Sequence, residues 1–151
     1  VVDPVTGFYT RRGFDLRARE IGAEARRNHQ PVACVVFVAE APSLESAADS
    51  IEGIADNFST FFKNSGRAAD VVARLGPLRF AVLAPTTGGE GATRLVERAS
   101  AALSGNGSAG PSEVGRITLR AGYCVIQDWN AESLDPEEVL AKATATMVVP
   151  S

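Results

Sequence analysis

The sequence contains few of the residues from which metal and disulfide sites are built. Among its 151 residues there are two cysteines, one histidine and one tryptophan. One histidine and two distant cysteines cannot supply the four ligands of a structural zinc site. Cys34 and Cys124 both lie in apolar, strand-like runs, which predicts a pair of buried thiols in a reducing compartment. A disulfide or a shared metal is the alternative that the residues leave open.

Long hydrophobic runs are also missing. No run approaches the ~18 apolar residues of a membrane-spanning helix, and no charged, apolar and small-residue leader indicates export. The hydrophobic content of 45% suits one globular domain over residues 1–151. Because the chain lacks an initiator methionine, we expect a fragment of a larger protein, in contact with neighbouring domains of the same chain. The expected location is cytoplasmic, with no membrane span in this segment.

Excess charge of one sign is small. The formal net charge is −3, which gives no electrostatic reason to expect a nucleic acid partner. Arginines gather in the predicted first helix, over residues 10–28, and are interpreted as a solvated face. Neither the composition nor the motifs indicate a cofactor.

The most informative stretch is the apolar segment from Val71 to Pro85. Two runs rich in β-branched and apolar residues flank Gly76-Pro77, which predicts a strand, a tight turn and a second strand. In the second strand, Phe80, Val82 and Ala84 share one face, opposite Arg79, Ala81 and Leu83. A hairpin this apolar is expected to be central, with helices covering it.

The remaining segments predict an alternation of helices and strands around that hairpin. Helices are expected over 10–28, from Ser43 to Gly66, after the glycine-rich loop Thr86–Gly91, and from Asp135. Strands are expected over Val32–Val38 and Gly115–Ile126. The fold class is therefore α/β, a sandwich in which helices cover a mixed central sheet.

Two phrases of the sequence resemble the GGDEF, or diguanylate cyclase, family. Asp3, Thr6, Gly7, Arg11 and Arg12 match the opening phrase D-x-L-T-G-L-x-N-R-R. Arg74, Gly76 and Phe80 match the hairpin phrase R-x-G-G-[DE]-E-F, and Thr118 and Gly122 match a later strand. The resemblance implies a palm-like sheet with a ferredoxin-like core, related to nucleotidyl cyclases, and a degenerate copy of the family's domain.

The resemblance also implies that the catalytic positions are lost. The family joins two GTP molecules with the help of divalent metal ions held by carboxylates. The corresponding positions here are Val38, Leu78 and Arg79. Valine and leucine are not metal ligands, and an arginine ~4 Å from a divalent ion is repelled by about 8 kcal/mol at an effective dielectric of ~20. The expectation is no enzyme activity, no catalytic residue and no metal.

A second site of the family, which binds cyclic di-GMP and inhibits the enzyme, matches better. Its R-x-x-D phrase falls on Arg67 and Asp70, six residues before Gly76, and its further arginine falls on Arg98, 18 residues after Phe80. Carboxylates accept hydrogen bonds from guanine, and arginine forks bind phosphate or guanine. The alternative interpretation is a surface ion pair between Arg67 and Asp70.

Two functions therefore follow from the resemblance. One is a catalytically inactive regulatory or sensory domain in bacterial cyclic di-GMP signalling, with a ligand site at Arg67, Asp70 and Arg98. The other is a structural dimerisation or protein-interaction module without nucleotide, regulating a neighbouring domain. Cyclic di-GMP, neighbouring domains and a second copy of the chain are the implied partners.

Overall fold

Four helices and four strands alternate along the chain in the computed structural model. The structure describes residues 7–40, 48–65, 70–103 and 118–148, and for 48–50 the backbone alone. The helices are α1 (Arg11–Asn28), α2 (Ala48–Ser65), α3 (Gly89–Leu103) and α4 (Pro136–Ala145). The strands are β1 (Val32–Glu40), β2 (Val71–Gly76), β3 (Arg79–Pro85) and β4 (Thr118–Ile126). The predicted α/β class and the predicted order of elements are confirmed.

The four strands form one sheet in the order β2-β3-β1-β4. β1 lies between β3 and β4, in keeping with its continuous apolar run. The prediction that the whole hairpin is central is wrong for β2, which lies at the edge of the sheet. β2 is apolar for another reason, because Val71 and Ala73 are buried in the core that α1 covers.

The mixed character that we expected for the sheet is confined to one bridge. All three ladders between the named strands are antiparallel. Tyr9 forms an isolated parallel bridge with Ala73, in which the Tyr9 N–H donates to the Val72 carbonyl at 2.8 Å. The segment before α1 is thereby tied to the outer edge of β2.

Each face of the sheet buries a separate core. α2 and α3 cover one face and α1 and α4 cover the other. The predicted alternation along β3 is confirmed, since Phe80, Val82 and Ala84 belong to the first core, and Ala81 and Leu83 to the second. The helices therefore lie on both sides of the strand ends that carry the candidate sites.

Phe80, which the chain shares with the hairpin phrase of the GGDEF family, is a core residue. It is fully buried and stacks on Phe58 of α2, with ring centroids 4.2 Å apart. Stacked aromatic pairs add about 0.5–1.5 kcal/mol beyond their buried area. Packing between the hairpin and α2 is thus sufficient to account for this phenylalanine.

Local chemistry explains where α1 and α4 begin and end. Thr10 caps α1, and its hydroxyl oxygen accepts from the Gly13 N–H at 3.1 Å. His29 ends α1 in the left-handed conformation, with a φ of 55°. Asp135 is the N-cap of α4, as predicted, but its side chain makes no capping hydrogen bond. Pro136 and two acidic residues in the first turn supply the start signal instead.

The outer edge of β4 is covered by the segment that follows α4. Ala121 and Val148 exchange two backbone hydrogen bonds of 2.9 Å. The Thr146 hydroxyl oxygen accepts from the Tyr123 N–H at 2.9 Å and lies 3.1 Å from the Tyr123 carbonyl. Gly122 makes this approach possible, because a Cβ there would lie 2.2 Å from the Ala143 carbonyl oxygen. The middle of this edge strand is thereby paired and less open to other strands.

Some predicted boundaries differ from the structure or lie outside its described residues. Helix α3 already begins at Gly89, so the loop predicted over Thr86–Gly91 is shorter than expected. The proposed cap Ser43 and the predicted strand start at Gly115 lie outside the described residues. No helix in the described ranges is both long and apolar enough to cross a membrane.

Candidate functional site

Two positions that the resemblance assigns to metal ligands, Val38 and Arg79, lie together at one end of the sheet. Val38 is paired with Arg79 of β3 and with Arg120 of β4. Directly opposed residues of antiparallel strands place their side chains on the same face. Val38 therefore lies in a row between two guanidinium-bearing residues, on the face that α1 and α4 cover.

Both arginines have partners of their own. One Nη of Arg79 donates to the Thr144 hydroxyl of α4 at 2.8 Å. The Nε of Arg120 donates to Glu40 Oε1 at 2.9 Å, so this acid at the end of β1 is engaged in an ion pair. No cluster of three or more histidine, cysteine, aspartate or glutamate side chains suited to a metal occurs among the described residues.

Leu78, the other substituted hairpin position, serves the fold. Its side chain packs against the core beneath α2 and α3. Its carbonyl accepts a hydrogen bond of 3.0 Å from the Ala39 N–H, which extends the β1–β3 contact into the turn. The leucine thus contributes apolar packing where the family's phrase has an acid.

Arg74 links the hairpin turn to α2, a contact that the sequence did not reveal. Its two Nη atoms lie 3.3 and 3.2 Å from the two carboxylate oxygens of Glu52, and one of them donates to the Pro77 carbonyl at 2.8 Å. The partners are 22 residues apart along the chain, and no local pattern connects them. The two-point contact fixes the turn against the helix.

A cavity lies on the opposite face of the sheet, between the start of β2 and helix α3. It encloses about 760 Å³. Asp70 and Arg98, two of the three predicted ligand residues, both line it. Arg67, the third, lies outside the described residues. The rest of the described lining comes from the end of α2, the interior of the sheet and the first turns of α3: Val35, Ser65, Ala84, Thr86, Thr87, Gly88, Gly89, Glu90, Gly91, Ala92, Arg94 and Leu95.

Helix α3 presents two arginines to this cavity because its apolar stripe fixes its rotation. Ala92, Leu95, Ala99 and Leu103 are buried against the sheet. Arg94 and Arg98 are four residues apart and lie on one exposed face. Arg94 also pairs with Glu90 at 3.4 Å. Sequence reasoning identified Arg98 but missed Arg94, although the four-residue spacing from Arg98 was available as a signal.

The loop before α3 forms the rim of the cavity. Thr86 has a φ of 50°, an uncommon backbone conformation for a β-branched residue. The hydroxyls of Thr86 and Thr87 both donate to the Pro85 carbonyl, at 2.7 and 2.9 Å. Thr87 also donates its N–H to the Pro31 carbonyl at 3.1 Å, which ties the loop to the start of β1.

The two cysteines lie opposite each other on β1 and β4, and both are free thiols. Burial raises the pKa of the Cys34 thiol strongly, with a smaller contribution from the neighbouring Cys124. Burial also raises the pKa of Cys124, and the nearby charge of Lys142 opposes that shift. Both thiols are therefore protonated near neutral pH and are poor nucleophiles. The prediction of a buried thiol is confirmed for Cys34, whereas Cys124 is only half-buried.

Known proteins resemble this chain in fold, but their sequences are only 17–20% identical to it. No protein-family model matches the sequence, and no curated protein matches it. Solved structures match over nearly the whole chain. The GGDEF domain of FimX from Pseudomonas aeruginosa is 20% identical, with 96% of this chain and 90% of that chain covered and a TM-score of 0.76.

Two further structures give the same result. The GGDEF domain of DgcB from Caulobacter crescentus, solved in complex with c-di-GMP, is 20% identical, with 95% of this chain and 83% of that chain covered and a TM-score of 0.69. A DGC protein from Thermotoga maritima is 17% identical, with 97% of this chain and 100% of that chain covered and a TM-score of 0.71. The resemblance inferred from the sequence is thus matched in three dimensions, and the chain has the fold of GGDEF domains.

Proposed function

We propose that this domain is a non-catalytic receptor for cyclic di-GMP, a regulatory module that binds the dinucleotide at the cavity between β2 and α3. The observation that carries the proposal is that Asp70 and Arg98 line one cavity of about 760 Å³. The two residues are separated by a whole hairpin and the first turns of a helix along the chain. Their meeting at one cavity supports a ligand site over two unrelated surface residues.

The chemistry of the two side chains suits a guanine dinucleotide. The Asp70 carboxylate accepts hydrogen bonds from the N–H edge of guanine, and the Arg98 guanidinium binds phosphate or the O6 and N7 atoms of guanine. Arg98 is exposed on α3 and therefore accessible to ligand. Arg67, three residues before Asp70, completes the proposed set. DgcB of C. crescentus, which shares the fold, was solved in complex with c-di-GMP.

Absence of catalysis is the second part of the proposal. Val38 between Arg79 and Arg120 supplies no oxygen ligand, and Leu78 packs into the core. Magnesium needs hard oxygen donors, normally carboxylates. Glu40, at the end of the same strand, already pairs with Arg120. These contacts support a domain that senses cyclic di-GMP and does not make it.

The proposed setting is the cytoplasm, as a single domain of a larger signalling protein. The free, opposed thiols Cys34 and Cys124 are in keeping with a reducing compartment.

The alternative function, an interaction module without nucleotide, would be favoured by a large exposed apolar patch. In the described part of the chain the exposed large hydrophobic residues are Leu16 and Val148, one on α1 and one after α4. Val148 lines a cavity beside β4 with Val96 and Tyr123, and Leu16 is not among its lining residues, so the two do not form one patch there.

Isothermal titration calorimetry with cyclic di-GMP tests the proposal. We expect binding to the wild-type domain, and a loss of about tenfold or more in affinity for Arg67→Ala, Asp70→Asn and Arg98→Ala, because each removes a charge-assisted hydrogen bond. Arg19→Ala is the matched control, since Arg19 is an exposed helical arginine that does not line this cavity. No heat at high micromolar ligand, or equal affinity in all four variants, contradicts the proposal.

A further inference from the structure

A second arginine of α3 lines the same cavity as Arg98. Arg94 precedes Arg98 by one helical turn, lines the same cavity and has a side chain that is 67% exposed. Residues four apart on a helix have Cβ atoms about 6 Å from each other. Two guanidinium groups at this spacing can bind neighbouring acidic groups of one ligand.

Arg94 is already occupied by a carboxylate of the protein. Glu90 Oε1 lies 3.4 Å from an Nη of Arg94, and both side chains line the cavity. The Glu90 side chain is 87% exposed, so the pair is held only weakly. A phosphate diester offers two oxygens to the guanidinium fork and can replace the carboxylate.

The space beside this pair is open. A Cβ added at Gly88 or Gly89 would meet no atom within 4 Å. Packing inside the domain therefore does not require glycine at these two positions, although both line the cavity. The two glycines therefore leave open space at the rim of the cavity, beside the first turn of α3.

We infer that Arg94 is a phosphate-binding residue of the cavity and that Glu90 competes with the ligand for it. Binding exchanges the Glu90–Arg94 ion pair for an Arg94–phosphate pair, so Glu90 raises the ligand concentration at which the site fills. The inference rests on the proposed function, because the phosphate belongs to cyclic di-GMP. It adds a residue for phosphate recognition and an intrinsic competitor that sets the affinity.

Calorimetric titration with cyclic di-GMP separates the two roles. Arg94→Ala is expected to weaken binding about tenfold, as for a lost charge-assisted contact to phosphate. Glu90→Gln is expected to strengthen binding about twofold, as for the loss of one exposed helical ion pair. In the Arg94→Ala background, Glu90→Gln should have no effect, because the group for which it competes is gone.

The pair Glu138 and Lys142 on α4 supplies the matched controls. It has the same four-residue spacing, with an N–O distance of 3.9 Å, and lies outside the cavity. Glu138→Gln and Lys142→Ala should leave the affinity unchanged, and Arg94→Gln serves as a second variant if Arg94→Ala is unstable in thermal unfolding. Equal effects at the two pairs would mean a general charge effect and overturn the inference.

Two failures are distinguishable. If the wild-type domain binds no cyclic di-GMP, the proposed function and this inference both fall. If the wild type binds and Arg98→Ala abolishes binding, but Arg94→Ala and Arg94→Gln bind like the wild type, the proposed function stands and Arg94 has no part in it. Weaker binding of cyclic di-GMP in Glu90→Gln would show that Glu90 does not compete with the ligand for Arg94.

Discussion

Val38 on β1 lies directly opposite Arg79 on β3, on the face of the sheet that α1 and α4 cover. Arg120 flanks Val38 from the other side. The resemblance assigns the metal-binding carboxylates of a GGDEF cyclase to Val38 and to the hairpin, where a valine and a guanidinium supply no oxygen ligand for a cation. Because Arg79 is hydrogen-bonded to Thr144, the guanidinium has a role in joining the hairpin to α4.

The first prediction is that the domain does not convert GTP. Incubation with GTP and Mg²⁺ should give no cyclic di-GMP above a protein-free blank, because no described carboxylate cluster holds the metal. Chromatographic detection of the product, with an active GGDEF cyclase as positive control, measures this. Product that forms with the wild-type protein and disappears on addition of a chelator would show that the site is catalytic.

The second prediction concerns Gly122. An alanine Cβ there would lie 2.2 Å from the Ala143 carbonyl oxygen and 2.8 Å from the Met147 nitrogen, both of them backbone atoms. Gly122→Ala should lower the free energy of unfolding by about 1–3 kcal/mol, as overpacking does. Urea denaturation measures the change.

Gly53 in α2 is the matched control for that substitution, because a Cβ there meets no atom within 4 Å. Gly53→Ala should raise the free energy of unfolding by about 0.5–1 kcal/mol, since alanine is the better helix former. Equal effects of the two alanine variants would mean that α4 does not press against β4 as described.

Several features of the fold and of the cavity were accessible from the sequence. The alternation of residues along β3 correctly predicted which side chains face each side of the sheet, because side chains alternate with a period of two residues in any strand. Asp70 and Arg98 were found through their register against Gly76 and Phe80 in a family phrase. The long-range pairings were not accessible, since nothing local to Arg74 indicates Glu52 and nothing local to β2 indicates that it lies at an edge.

Close approach between elements was the other feature that sequence reasoning missed. Gly122 was recognised as part of a family phrase. The structure requires glycine there because the last turn of α4 lies too close for a side chain. Helix α3 begins inside a glycine-rich segment with low helix propensity, because its buried stripe from Ala92 to Leu103 decides the structure. Arg94 was overlooked because the family phrase indicates Arg98 alone.

The third prediction is a pH dependence of stability set by Cys34. The thiol has a raised pKa in the folded protein, so above the unfolded value of about 8.5 the unfolded chain has lost the proton that the native protein retains. The contribution of this thiol to stability is complete below pH ~8.5 and declines as the pH rises further, by up to about 1.4 kcal/mol per pH unit.

Denaturant titrations between about pH 7.5 and 9.5 measure this slope. Cys34→Ala removes the buried thiol and should flatten the decline, although it also lowers the overall stability through the lost volume. The remaining slope should be smaller, because Cys124 is only half-buried. An unchanged slope in Cys34→Ala would contradict a buried, protonated thiol at this position.

The fourth prediction concerns the cover over the edge of β4. Thr146→Val keeps the shape of the side chain but leaves the Tyr123 N–H without the hydroxyl that accepts from it at 2.9 Å. The loss should be about 0.5–1.5 kcal/mol in the free energy of unfolding, with faster amide exchange at Tyr123. Thr93→Val is the control, because the Thr93 hydroxyl lies at the exposed surface and bonds no N–H of the sheet. Unaltered exchange at Tyr123 in Thr146→Val would exclude this role.

We propose that cyclic di-GMP binds at the cavity of Asp70 and Arg98 and not at the strand end of Val38 and Arg79. Mapping amide chemical shifts during a titration with cyclic di-GMP tests it most directly, because the two places lie on opposite faces of the sheet. We predict saturable shifts at Asp70 and along Thr86–Arg98, with Val38 and Arg79 unmoved. Shifts confined to Val38, Leu78 and Arg79, or no shifts at all, would contradict the claim.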